Sequence, residues 1–392
     1  MDYTFTPDEE RFRHELRAFL DAQLPAEWSE RDFVGDVSLE ERIERAGRVD
    51  AALAERGWLA LGWAKQIGGA GADYVQQMIF SEETAYQRMP GGGGAGVQWA
   101  GPALQRFGTD AQRAEYLPRI VRGQDRWCLM TTEAEAGSDV ANLQTRAVRD
   151  GDEYVISGSK TWVVDAQQAN LGLLAARTDP SAPPQEGIST IIVPMDAPGV
   201  TVRPILTIAG EQDLNEVTFE DVRVPVSHLV GQENAGWYQM NAVPEFERSG
   251  VGTFATAKAN VERLVTAAHD DASLVGKNPS SRYEIADRWI EVQVGFNVAY
   301  RVPRLQARGE DPDQEATVSK LYGSELTQRV AGTGMHLLGL AAQVAPGTRY
   351  AKLAGAFQQE YLKATTSTIV GGTAEIQRNL IAQRGLGLPR ER

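Results

Sequence analysis

The stretch WCLMTTEAEAGSD, Trp127–Asp139, runs from a short strand-forming segment into a turn crowded with hydroxyls, carboxylates and a glycine. A second glycine-marked turn, SGSKTW at Ser157–Trp162, follows soon after. Two such turns, framing a β-rich middle in an otherwise helical chain, can hold a flat ring at its edge through backbone amides and hydroxyls. That arrangement points to an enzyme.

The β-prone runs continue outward from these turns. Tyr154 and Ile156, Trp162–Val164, Leu171–Ala175, Ile188–Val193, Val200–Arg203 and Val217–Phe219 are short and bounded by Gly, Pro and Asp. Asp150, Gly151 and Asp152 form a hairpin turn signal between Ala141–Arg149 and Tyr154–Ser157. The segment TDPSAPPQEG, Thr178–Gly187, is too rich in proline for a core strand and is expected as a surface loop. Together these runs predict a small antiparallel barrel or sandwich of about 100 residues.

Helical signals lie on both sides. Thr6 can cap a first helix, Pro7 suits its first position and Glu9 closes a capping box. Phe12, Leu16, Phe19 and Leu20 then mark its apolar face. Further helical patterns cover Leu39–Arg56, Ala72–Arg88 and Ala111–Ile120. The run Gly91–Gly94 lacks a following Gly-Lys-Ser/Thr, so it is expected as a flexible or closely packed interhelical turn and not as a phosphate loop. Beyond the β-region, Phe246–Ala268, Tyr283–Gln306, Ala316–Leu338 and Tyr350–Ile369 are long enough for a four-helix bundle, with a short helix from Thr373. Their faces can bury one side internally and the other against a second subunit. The expected fold is α+β: an amino-terminal helical domain over 1–125, a middle β-barrel or sandwich domain over 126–235 and a carboxy-terminal four-helix bundle over 236–392.

At 392 residues the chain exceeds what a single hydrophobic core usually supports, which agrees with several domains. Its formal charge of −14 and the lack of a basic cluster argue against nucleic acid as a partner. Cys128 is the single cysteine, which excludes an intrachain disulfide and makes a thiolate metal site implausible; its default role is a small buried hydrophobe. His14, His228, His269 and His336 are too scattered for a local metal motif. With neither a leader pattern nor an apolar run of membrane-spanning length, no membrane insertion and a cytoplasmic location are expected.

Candidate chemistry is concentrated in few residues. Glu247 and Arg248 are neighbours near the start of the first bundle helix, pointing about 100° apart, so each can serve a different site. In an apolar cleft Glu247 would be a proton acceptor; facing solvent it would only complement the helix dipole. Thr131, Thr132 and Ser138 can contact a ring or phosphate, or cap their own turn. Trp162 can cover a ring or sit in the core. Arg282 and Arg378 can meet a diphosphate or simply end a solvated helix. Gly371 and Gly372 suit a left-handed helix exit. Glu375 competes as a base, although its spacing to Arg378 favours an ion pair.

Five segments, in order and at matching intervals, make the chain resemble the acyl-CoA dehydrogenase family over essentially its whole length. They are Trp127–Asp139, Gly158–Trp162 (GSKTW), Asn215–Pro225 (NEVTFEDVRVP), Gly231–Trp237 (GQENAGW) and Gly371–Pro389 (GGTAEIQRNLIAQRGLGLP). The resemblance implies FAD bound between the middle and carboxy-terminal domains and reaching a neighbouring subunit. It implies α,β-dehydrogenation of an acyl-CoA thioester to the trans-2-enoyl-CoA: a carboxylate takes the α-proton while hydride leaves the β-carbon, and electrons pass to an electron-transferring flavoprotein. A homodimer or homotetramer is implied, or a heteromer.

In many members the base directly precedes the Gly-Thr of the last segment, where this chain has Gly371. Others place a Glu-Arg pair on the first carboxy-terminal helix, matching Glu247 and Arg248, so Glu247 is the expected base and Arg248 is expected near the substrate entry. By the same matching Thr132, Ser138, Trp162 and Val164 are expected at the flavin, Ser138 also at the substrate, and Arg282, Gly339 and Gln377 at FAD across a subunit boundary. Three departures stand out. Val164 replaces a hydroxyl residue that commonly bonds flavin N5, Ala134-Glu135 replaces Pro-Gly, and the glycine-rich segment has become GLAA at Gly339–Ala342. They leave a flavin oxidase or monooxygenase, or a non-catalytic subunit of a heteromer, as alternatives. The Trp-Cys start, the loop at Ala176–Pro180 and the GGTAEIQRN segment are similar to bacterial members acting on bulky acyl-CoAs, including sterol or bile-acid side chains. Because Glu247 is present, a catalytic subunit is expected.

Overall fold

The computed structural model describes residues 3–242, 249–276 and 280–389. Helices precede the sheet at α1 (Pro7–Gln23), α2 (Trp28–Phe33), α3 (Leu39–Glu55), α4 (Tyr74–Tyr86), α5 (Gly101–Phe107) and α6 (Asp110–Val121). The strands are β1 (Trp127–Met130), β2 (Arg146–Asp150), β3 (Glu153–Val164), β4 (Leu171–Arg177), β5 (Ile188–Pro194), β6 (Val200–Ile205), β7 (Leu214–Pro225) and β8 (Leu229–Val230). Helices resume with α7 (Gly236–Ala242), α8 (Val251–Asp270), α9 (Ser273–Gly276), α10 (Ser280–Ala307), α11 (Asp313–Leu338), α12 (Ala356–Ala364) and α13 (Ala374–Leu380).

By internal packing these elements form two compact units. One comprises Met1–Ala46, Ala72–Pro90 and Glu247–Arg392, and the other Gly47–Gly71 and Gly91–Phe246.

In the first unit, α1 starts as its sequence dictates. The Thr6 side chain accepts from the Glu9 amide, and the Glu9 carboxylate accepts from the Thr6 amide, closing the capping box. Phe12, Leu16, Phe19 and Leu20 are buried, and α1 packs on α4. Helix α4 in turn packs against α8, and α10 lies against both α8 and α11. The first bundle helix is described from Val251; the expected start at Phe246, with Glu247 and Arg248, lies outside the described residues.

The expected helix Tyr350–Ile369 is shorter. Leu353, Ala354 and Gly355 all have positive φ, and a Cβ on Gly355 would stand 2.8 Å from the Pro346 nitrogen, so α12 begins only at Ala356. It ends at Ala364 because the hydroxyls of Thr365, Thr366 and Ser367 donate back to the carbonyls of Leu362, Lys363 and Ala364, competing with helix continuation.

The β-rich middle is a mixed sheet. Among the described residues its order is β6-β7-β3-β2-β4-β5-β8, with β1 beside β4. The β1–β4 and β2–β4 pairings run parallel, which the expected all-antiparallel arrangement did not include. Strand β7 is longer than its apolar run because Glu220 and Asp221 interrupt the alternation, with Asp221 at φ 50°. Tyr154, Ile156, Val163, Val217, Phe219, Val222 and Val224 share the buried face. On β1, Trp127 meets Tyr116 of α6 edge-on at 5.6 Å, while burial pushes the Cys128 thiol up to about 12 and leaves it an inert core group. Gly91–Gly94 all have positive φ, and the Gly92 amide donates to the half-buried Asp50 carboxylate (2.6 Å), so this turn is closely packed.

Helices α11 and α12 approach closely because Gly334 leaves room for Phe357. A Cβ at position 334 would lie 2.1 Å from Phe357 Cδ1, and that ring is fully buried and has nowhere to move. Gly334→Ala should therefore destabilise the protein by about 1–3 kcal/mol through overpacking. Denaturant unfolding checks this, with an unchanged midpoint as the contrary result.

Candidate active site

The two segments singled out in the sequence meet in the β-sheet unit, the second of them lying within the long strand β3 and not in a turn between strands. The chain leaves β1 through Thr131 and Thr132 and closes a tight turn in which the Glu133 and Ala136 amides each donate to the other's carbonyl (3.2 and 3.1 Å). Ala134 and Glu135 form the tip without positive φ, so the turn forms without Pro-Gly. The Thr161 amide donates to the Thr132 carbonyl (2.9 Å), which places Thr132 beside the second segment.

Strand β3 is irregular where it matters. Lys160 pairs with Val217 and Val163 with Asn215, so Thr161 and Trp162 together oppose Glu216 alone. Such a bulge bends a strand and re-aims its side chains. Trp162 within it has φ 59°, and its side chain is exposed despite its size (55%), as is Val164 (52%). An upstream register shift passes Gly158, whose φ is 145° and whose added Cβ would lie 2.7 Å from Thr145 Cα. Only glycine lets β3 approach Thr145 this closely.

A buried ion pair ties the segments together. Lys160 is fully buried; its ammonium donates to Glu133 (2.8 Å) and to the Thr131 carbonyl (3.0 Å). The Glu133 carboxylate also accepts from the amides of Gln144 (2.6 Å) and Thr145 (2.8 Å). Burial alone would raise the Glu133 carboxyl, but the Lys160 charge and these bonds outweigh it and hold it below the usual carboxylate range. Burial pulls Lys160 down to about 8, with Glu133 opposing. Sequence reasoning did not select Lys160 or Glu133 as working residues. A signal was present, since the two-residue period that buries Tyr154 and Ile156 also turns position 160 inward.

Of the expected site residues, the β-sheet unit holds Thr132, half-buried, and Ser138, Trp162 and Val164, all exposed. The helical unit holds the others that are described. Arg282 is exposed on α10. Gly339 ends α11 at φ 59°, and Leu340 beside it is 84% exposed. Gln377 is buried on α13, where its amide donates to the Gly371 carbonyl (3.3 Å). Gly371 and Gly372 have φ 68° and 89°, and Lys320 of α11 donates to the Gly372 carbonyl (2.5 Å). Arg378 reaches Glu325 of α11 rather than Glu375, so the expected local pair is replaced by one between helices. Glu247 and Arg248 lie outside the described residues. They precede Ser249, which is buried and whose carbonyl accepts the Ser319 hydroxyl.

An exposed tryptophan on a strand bulge, with Thr132 held beside it through the Thr161 amide, suits an aromatic ring with polar edges. Among the described residues no three His, Cys, Asp or Glu side chains gather to hold a metal, and no helix is long and apolar enough to cross a membrane. A central sheet that presents such a face, in a chain with helices before and after it, fits an enzyme that binds a flat cofactor.

Comparison with known proteins gives the family. The amino-terminal, middle and carboxy-terminal domain models of acyl-CoA dehydrogenases match residues 6–124, 128–222 and 234–386. The chain belongs to the acyl-CoA dehydrogenase family, and it is an enzyme with FAD as cofactor. It is 32% identical to acyl-CoA dehydrogenase FadE26 of Mycobacterium tuberculosis, covering 100% of this chain and 99% of the relative. Against acyl-CoA dehydrogenase IpdE1 of the same organism it is 34% identical, covering 98% and 99%. Among solved structures it resembles the Tcur3481-Tcur3483 steroid acyl-CoA dehydrogenase (TM-score 0.89, 35% identity, 100% of both chains). It also resembles the ChsE4-ChsE5 complex from Mycobacterium tuberculosis (TM-score 0.88, 32% identity, 100% of both chains).

The depressed Glu133 carboxyl has a consequence for acid stability. Its contribution is fully present above the ordinary carboxylate pKa and is lost as pH falls through the lowered folded-state value. Between about pH 6 and pH 3 the wild type should therefore lose more stability than Glu133→Gln, which has no such proton to take up. Denaturant midpoints across that range check this; parallel curves would contradict it.

Proposed function

We propose that this chain is the base-carrying subunit of a heteromeric FAD-dependent acyl-CoA dehydrogenase that introduces an α,β double bond into a bulky, steroid-type acyl-CoA, giving the trans-2-enoyl-CoA. The observation that carries the heteromer is the segment Gly339–Ala342. The resemblance places a glycine-lined contact for a neighbour's FAD there, and this chain instead presents Leu340 almost fully exposed beside Gly339. A homomer would have to complete every flavin site with this segment, whereas in a heteromer a different chain can supply it. Two full-length structural neighbours, the Tcur3481-Tcur3483 steroid acyl-CoA dehydrogenase and the ChsE4-ChsE5 complex, are each named for two components.

FAD, when bound, supplies the two-electron acceptor for the hydride that leaves the β-carbon. The rest falls to side chains and backbone of this chain. Trp162 and Val164 offer the ring an apolar face, and Thr132 and Ser138 offer hydroxyls for its polar edge or for the thioester. Glu247 takes the proton from the α-carbon, which the thioester carbonyl acidifies. Arg248 orients the substrate at its entry. Arg282 and Gly339 belong to the surface facing a neighbouring subunit, and Gln377, buried beneath the Gly371–Gly372 turn, supports that surface from inside. Electrons leave through an electron-transferring flavoprotein.

The test combines coexpression with anaerobic flavin bleaching. The chain alone should be poorly loaded with FAD and become fully yellow when coexpressed with its companion subunit, which is searched for as a copurifying homologue. A steroid-type acyl-CoA should bleach that flavin, and Glu247→Gln should retain FAD while slowing bleaching by about 100- to 10,000-fold. Full loading and turnover of the chain alone would overturn the heteromer. Undiminished bleaching in Glu247→Gln would overturn the base.

A further inference from the structure

An aromatic residue with φ 59°, as Trp162 has, keeps that conformation only where its surroundings over-determine it. Two buried polar anchors stand on either side of this residue. On the amino-terminal side is Lys160, held by Glu133 and the Thr131 carbonyl. On the carboxy-terminal side is Asn215 of β7, which has no exposed surface. Its amide nitrogen donates to the Val163 carbonyl (3.0 Å), to the Gln167 side chain and, at 3.3 Å, to the Asp213 carbonyl. The side-chain oxygen of Asn215 is buried without a hydrogen-bond partner among the described residues. An unpaired interior oxygen lowers stability, so packing alone does not account for an asparagine here, while its donor does.

We propose that Asn215 and the Lys160–Glu133 pair are positioning residues for the flavin: gripping the bulge from both ends, they hold Trp162 in its left-handed conformation and thereby fix the plane that Trp162 and Val164 present to the ring. This rests on the reading above that the ring meets Trp162. Neither anchor touches the ring; both act through the backbone between residues 160 and 163. Loss of either lets Trp162 relax toward ordinary strand geometry and swing its indole away.

The experiment uses the full-length protein in the assembly in which it purifies, as Asn215→Ala, Trp162→Gly and the two combined. FAD affinity is measured by fluorescence titration of the stripped protein, and the flavin absorption band is recorded at saturation. Asn215→Ala should weaken FAD binding about tenfold and shift the band. In the Trp162→Gly background it should change neither further, because glycine takes the left-handed conformation unaided and no indole remains to be aimed. The same additional loss in both backgrounds overturns the proposal, as do an unchanged band and affinity in Asn215→Ala. A Trp162→Gly protein with wild-type affinity and spectrum overturns the earlier reading that this residue meets the ring, a result distinguishable from the others. If Asn215→Ala does not fold, Lys160→Met combined with Glu133→Gln removes both buried charges at once and is read in the same two backgrounds.

Discussion

Lys160 sits in the interior of the β-sheet unit, out of reach of bulk solvent. A charge in that position is tolerated only when it is paired and hydrogen-bonded. Glu133 and the Thr131 carbonyl meet that requirement, and Glu133 is in turn held by the amides of Gln144 and Thr145. One ion pair thus joins the exit of β1, the entry to β2 and the bulged part of β3. Every candidate ring contact in this unit lies within a few residues of it.

The close approach of these segments rests on glycine as well as charge. Gly158 lets β3 pass directly over Thr145, whose hydroxyl donates to the Ser159 carbonyl (3.1 Å). The turn of the second sequence segment is therefore a register shift inside one long strand rather than a loop between two strands. Such shifts disturb a ladder locally, and here they put a large aromatic where a regular strand would have buried or paired it.

Much of this was legible in the sequence. The capping box at Thr6 and Glu9 and the apolar stripe of α1 follow directly from residue spacing, and the change of period near Trp127 marks the β-region. What stayed hidden were non-local features. The parallel β1–β4 pairing depends on which strands become neighbours, and short apolar runs do not state that. The break before α12 comes from crowding between Gly355 and Pro346, and its end from a run of hydroxyls that compete with the helix. The candidate residues Thr132, Ser138, Trp162 and Val164 could be picked from two short segments, but the groups holding them could not. A lysine and an asparagine in strands look like surface residues until their partners, 27 and 52 positions away, are known. Arg378 illustrates the converse: a near neighbour at helical spacing lost to Glu325 on another helix.

In the proposed site the flavin ring lies against a face whose orientation is set by a strained, internally clamped bulge. A crystal structure of the FAD-loaded protein measures this directly. The expected result is ring atoms within about 4 Å of Trp162 and Val164, with Trp162 still at positive φ and the Lys160–Glu133 and Asn215–Val163 bonds intact. A ring bound away from these residues, or Trp162 in extended conformation beneath it, would contradict the account.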